Sequence, residues 1–186
     1  MGKSIRKLAA ANTGSEIAEA ALVLPLAFMI LLGIYWFGRA FNVYATINHA
    51  AREGARFAVQ SSCATCTPAN QSPTSSPAGI NSIGAAVGQA MQASGLDPSL
   101  ATSPAVSYTA CPSGPLTCQT PNGSGDPQIS ICSNVQLVAS PPTASGGPSC
   151  GVAIDFQYPY KMGLPFTSLN GAPITLSAHI QMRTEQ

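Results

Sequence analysis

Residues 20–38 (AALVLPLAFMILLGIYWFG) form an unbroken run of 19 without a charge. At about 1.5 Å of rise per residue, a helix of that length spans roughly 28 Å, the thickness of a bilayer's hydrocarbon core. Three fates are open to such a run: lipid, a cleaved export signal, or the core of a large soluble fold. An export signal also places a basic stretch before an apolar one, but its apolar part is shorter, and Tyr35, Trp36 and Phe37 stand where a cleavage site needs small residues. The rest of the chain offers few long apolar elements to wrap around a core helix. The run therefore reads as a single transmembrane helix. Lys3, Arg6 and Lys7, with no acid before Gly14, predict a cytoplasmic N-terminus and an exported C-terminal body.

Composition narrows the function. Eight basic and seven acidic residues give a formal charge of +1, so no cationic surface is available to hold a nucleic-acid backbone. Two histidines and seven carboxylates leave few groups from which to build an active site, and no phosphate-binding glycine signature is present. Neither a metal site nor a cofactor site is expected. The chain reads as non-enzymatic.

The helix continues past the bilayer. Ile34, Phe37, Phe41, Tyr44, Ile47, Ala51, Ala55 and Ala58 recur at steps of three and four, which keeps one stripe toward a packing partner. Arg39, Asn42, Asn48, Arg52, Glu53 and Arg56 take the other faces, and Glu53 and Arg56 are spaced to pair. One helix over 15–60 is predicted, roughly 70 Å long. Pro25 removes an amide from its lipid half and should bend it.

At the start of this helix, TGSEIAEAALVLP (13–25) places Glu19 directly before the apolar run. A carboxylate so close to lipid is costly, although the positive end of the helix dipole favours acids there. If the chain were cut between Gly14 and Ser15, Glu19 would become the fifth residue. That arrangement resembles type IV pilin secretion signals. With FGRA at 37–40, AAREGAR at 50–56, YPY at 158–160 and the tail ITLSAHIQMRTEQ, the chain resembles the TadE-like family of Tad pilus systems. The resemblance implies a bacterial inner-membrane protein whose leader, 1–14, is removed after Gly14 by a prepilin peptidase. It implies that Glu19 pairs with the freed amine of Ser15 on a neighbouring subunit. It also implies that the helix packs on others like it, with Pro25, Gly33, Gly38, Ala40, Ala51 and Ala55 shaping the approach. The implied partners are membrane lipid, the peptidase, other pilin or pseudopilin subunits, further copies of itself and the assembly machinery. Two alternatives stay open: an uncleaved single-pass anchor displaying a binding or adhesive head, and an envelope thiol oxidoreductase using Cys63 and Cys66.

Beyond residue 60 the sequence changes character. Residues 61–79 are a Ser/Thr/Pro-rich linker. Over 80–186 an exported α+β head is predicted, with one helix on a mostly antiparallel sheet. Ile80, Ile83, Val87 and Met91 mark the helix, which stops near Gly95 and Pro98. Strands are predicted over 105–111, 128–138, 151–158 and 174–182, the last two alternating as half-buried strands. The segments 112–127 and 140–150 carry too many turn residues for regular structure. Six cysteines, at 63, 66, 111, 118, 132 and 150, all follow the membrane segment, and an even number in an exported loop-rich head argues for disulfides of open pairing. Asp155 and His179 fall on the polar phases of their strands, where the alternation points them to solvent, and His49 sits on the helix without a legible partner.

Overall fold

The structure, a computed structural model, describes residues 2–60, 77–112, 114–137, 149–161 and 173–184. Helix α1 (Gly2–Val59) leads, followed by α2 (Pro77–Ala93), a 3-10 turn (Pro98–Leu100), and strands β1 (Thr117–Gln119), β2 (Ser130–Leu137), β3 (Ser149–Tyr160) and β4 (Ile174–Arg183). The four strands form one antiparallel sheet in sequence order. The chain divides into two units, Met1–Phe41 and Asn42–Gln186.

In the first unit α1 starts at Gly2 rather than near Ser15. Lys, Arg, Leu and Ala dominate residues 3–11, and no Gly or Pro interrupts before Gly14, so helix propensity carries through the basic leader. The helix also runs through Pro25.

The second unit is the α+β head. The ladder between β3 and β4 extends without a bulge from Gly151↔Arg183 to Tyr160↔Ile174. The Thr184 amide donates to the Cys150 carbonyl over 3.2 Å, which fixes the phase: even-numbered residues of β3 bond toward β4 and odd-numbered ones point away. Gln157 exchanges both backbone bonds with Thr102, at 2.8 and 2.9 Å, on that far side. Pro159 shares this phase beyond the end of β2, so its missing N–H costs no ladder bond.

Both faces of β3 are covered. On one, Val152, Ile154 and Phe156 are fully buried together with Ile131, with Ile83 and Val87 of α2, and with Ile47, Ala51, Ala55 and Ala58 of α1. Each large side chain so enclosed contributes about 1.5–3 kcal/mol relative to exposure. The approach of α1 depends on Gly54, where a Cβ would collide with Val87 and lie 3.1 Å from Ile154 Cδ1. On the other face, Cys132, Val135 and Ala153 are packed by Val106, Tyr108, Leu116 and Leu137.

Several expectations change. Strand β3 is the centre of two layers rather than half-buried, because Val106, Tyr108 and Leu116 cover its second face. Residues 105–111 do not form a strand. Their one β-bridge to the sheet among the described residues is Ala110↔Val135, and Val106 and Tyr108 serve as cover. A short strand, β1, arises inside the turn-rich 112–127 segment, tied to β2 by a disulfide. In β2, Asn134 takes a left-handed backbone with φ of 60° and creates a bulge. Its side-chain amide donates to the carbonyls of Gly114, Pro115 and Cys111, which holds the preceding loop in place.

Helix α2 stops as predicted. Gly95 adopts φ of 74°, the Leu96 amide bonds the Met91 carbonyl at 3.0 Å, and the Gly95 amide bonds that of Gln92 at 2.9 Å. These are the reciprocal bonds of a left-handed helix stop. Asp97 then caps the 3-10 turn by accepting from the Ser99 amide.

Candidate functional site

Two regions carry the chemistry. The first is the apolar part of α1. A stretch long enough to cross a bilayer begins at Ile17, and none of its apolar window is buried by the chain itself. Leu22, Val23, Leu24, Leu26, Phe28, Met29, Ile30, Leu31 and Ile34 all stand exposed. In water such a surface is untenable, whereas in lipid it is the stable arrangement.

Each residue expected to act there has a definite place. Gly14 and Ser15 lie within the helix. Glu19 is exposed on it, just ahead of the apolar run, and forms no hydrogen bond or ion pair with a described residue. Pro25 is exposed within the helix. A Cβ added at Gly33 or Gly38 would meet nothing within 4 Å, so both leave open surface for a close neighbour. At the far end Tyr35 and Trp36 pack edge to face with centroids 5.5 Å apart, and the Arg39 guanidinium lies 5.9 Å above the Trp36 ring. Aromatic rings beside a cation are the residues that settle at a headgroup boundary.

Ala51 and Ala55 do something else. Both are fully buried inside the head, so the close approach they permit is spent within this chain and is not left open to a neighbour. The predicted stripe divides accordingly: Ile47, Ala51, Ala55 and Ala58 enter the head's core, and Ile34, Phe37, Phe41 and Tyr44 remain exposed. Glu53 takes Arg56 at 3.7 Å, the expected pair, and His49 at 4.0 Å.

The second region was not legible in the sequence. Asp155 is buried on β3 and meets His179 directly across the ladder on β4. The Asp155 Oδ1 lies 2.5 Å from His179 Nδ1, and Tyr108 donates its hydroxyl to Oδ2. Tyr108 and the His179 ring stack with centroids 6.1 Å apart. Burial pushes the Tyr108 hydroxyl far above its usual pKa, and the hydrogen bond to Asp155 and the negative charge there push it further. The His179 ring is half exposed and held by Nδ1 toward the acid. The cluster binds three segments together: β3, β4 and the segment that carries Tyr108. The signal in the sequence was Tyr108 on a segment alternating with Val106, but only the topology shows that it folds over β3.

Four of the six cysteines pair as Cys111–Cys150 and Cys118–Cys132, with Cα atoms 5.8 and 4.0 Å apart. Cys118 and Cys132 are direct cross-strand partners. Cys63 and Cys66 lie outside the described residues, as does most of the 61–79 linker. Among the described residues no group of His, Cys, Asp and Glu is arranged to hold a metal ion.

Residues 14–56 match the family model of TadE-like protein, a match that begins at Gly14 and ends at Arg56. No curated protein matches the chain. No solved structure matches it either.

Proposed function

We propose, from the match of residues 14–56 to the TadE-like family model, that this chain is a pilin or pseudopilin: a non-catalytic structural subunit of a Tad-type pilus. The observation that carries the reading is the helix itself, apolar and unburied along its lipid-length part and headed by Glu19. A rod of that kind is built to be covered, first by bilayer and then by other rods.

In this reading the basic leader, residues 1–14, holds the N-terminus in the cytoplasm and the head is exported across the inner membrane. A prepilin peptidase cuts between Gly14 and Ser15. The scissile bond lies within α1, so the local helix must open for cleavage; Asn12, Thr13 and Gly14 are weak helix formers and make that opening inexpensive. The freed Ser15 amine pairs with Glu19 of a neighbouring subunit, cancelling two charges where neither is well solvated. Gly33 and Gly38 admit close helix contact. The head, closed by disulfides, suits an oxidising compartment.

Intact-mass measurement of the protein from isolated membranes and from sheared filaments tests this. The expected chain begins at Ser15 in both fractions. Retention of residues 1–14 in assembled material would overturn the processing step. Full retention with no recovery in filaments would instead favour an uncleaved anchor displaying the head.

A further inference from the structure

Strand β4 is an edge. It pairs with β3 on one side, and among the described residues no strand lies beyond it. The Thr184–Cys150 bond fixes which backbone groups turn toward β3: those of residues 174, 176, 178, 180 and 182. The N–H and C=O groups of Thr175, Ser177, His179, Gln181 and Arg183 therefore point away from the sheet, and among the described residues none of them bonds to another segment. Five consecutive donor–acceptor sets stand open on a strand free of bulges. Most devices that blunt such an edge are missing: residues 174–183 contain no proline, lysine or acid, and Arg183 at the strand's end is the one full charge.

We infer that this edge pairs with β4 of a second copy of the chain, antiparallel about a two-fold axis through His179. The register follows from the phase. Only residues with outward backbone groups can face one another, and centring on His179 matches all five: Thr175 with Arg183, Ser177 with Gln181, and His179 with its counterpart. The residues between then fall in place, with Leu176 opposite Met182 and Ala178 opposite Ile180. Apolar meets apolar on one face and polar meets polar on the other, so the strand is complementary to itself. Arg183, the one full charge, lies opposite Thr175 and meets no like charge. Each His179 is already held toward its own Asp155. The other edge of the sheet is a poorer partner, since β1 has three residues and would leave most of β4 open. This inference rests on the sheet and is independent of the reading of α1.

Amide hydrogen exchange on the full chain in detergent micelles, at two protein concentrations, tests the pairing. The amides of Ser177, His179 and Gln181 are expected to slow together by at least about tenfold as concentration rises. Ser177→Pro removes one outward N–H and leaves the β3–β4 ladder whole, so it should abolish the slowing; Ser177→Ala should retain it. Equal, rapid exchange of these amides at both concentrations in the unaltered chain overturns the pairing, whether or not Ser177→Pro folds. An oligomer held through α1 alone leaves the outward amides rapid and is that outcome. Protection that persists in a folded Ser177→Pro variant also overturns it.

Discussion

The imidazole Nδ1 of His179 lies 2.5 Å from Oδ1 of Asp155, across a directly opposed pair of β3 and β4, while Tyr108 occupies the other carboxylate oxygen. Asp155 thereby joins two strands and the covering segment. Replacing it by Ala removes the acceptor that Tyr108 and His179 share, leaving the hydroxyl only His179 Nδ1 at 3.1 Å, and should cost about 1–3 kcal/mol. Denaturant unfolding followed by the near-ultraviolet tyrosine signal measures this. A loss within about 0.5 kcal/mol, the range of ordinary surface substitutions, would refute the role.

Tyr108 also sets an alkaline limit. Its hydroxyl ionises far less readily in the folded head than in the unfolded chain, so the folded state binds more protons above the ordinary tyrosine pKa of about 10. The contribution is complete below that pH and declines as pH rises beyond it. Tyr108→Phe should lower stability at pH 7 by about 1.5–3 kcal/mol and make the remaining stability fall less steeply above pH 10. Unfolding curves at pH 7, 9 and 11 check both parts.

The two described disulfides should differ in value. Cys111–Cys150 closes a separation of 39 residues and Cys118–Cys132 one of 14. Chain-entropy reasoning gives about 4 and about 3 kcal/mol respectively. Paired Cys→Ser variants, compared by thermal unfolding of the full chain, should rank in that order.

Glycines on one helix should respond in opposite ways. Gly54→Ala drives a methyl into Val87 and Ile154 and should cost about 1–3 kcal/mol of head stability. Gly33→Ala and Gly38→Ala meet no atom of the chain, and should leave the head's unfolding unchanged. If the helix packs on copies of itself, these two reduce the yield of assembled material.

Glu19→Ala should insert into membranes normally and assemble poorly. Fractionation and filament recovery separate the two effects; normal recovery removes the proposed pairing with Ser15.

What could be read from the chain beforehand divides by the range of the interaction. The lipid-length helix, the stop at Gly95, the Glu53–Arg56 pair and the β4 alternation are local, set by spacing and by single residues. What failed was long-range. Asp155 has the pattern of a solvent-facing residue, and the cover supplied by Tyr108 and Val106 is what buries that face. Ala51 and Ala55 look the same in sequence whether they face a neighbour or the chain's own head. Strand β1 is too short to produce a period, and its place beside β2, with Cys118 opposite Cys132, is a long-range pairing.

The burial of Ile47, Ala51, Ala55 and Ala58 among head side chains also dictates how the molecule can be divided. A truncation made after residue 60, where composition shifts toward Ser, Thr and Pro, would strip the sheet of its covering rod and expose Ile154 to water. A water-soluble fragment has to begin at about residue 42, keeping the distal turns of the long helix as a structural organ of the head.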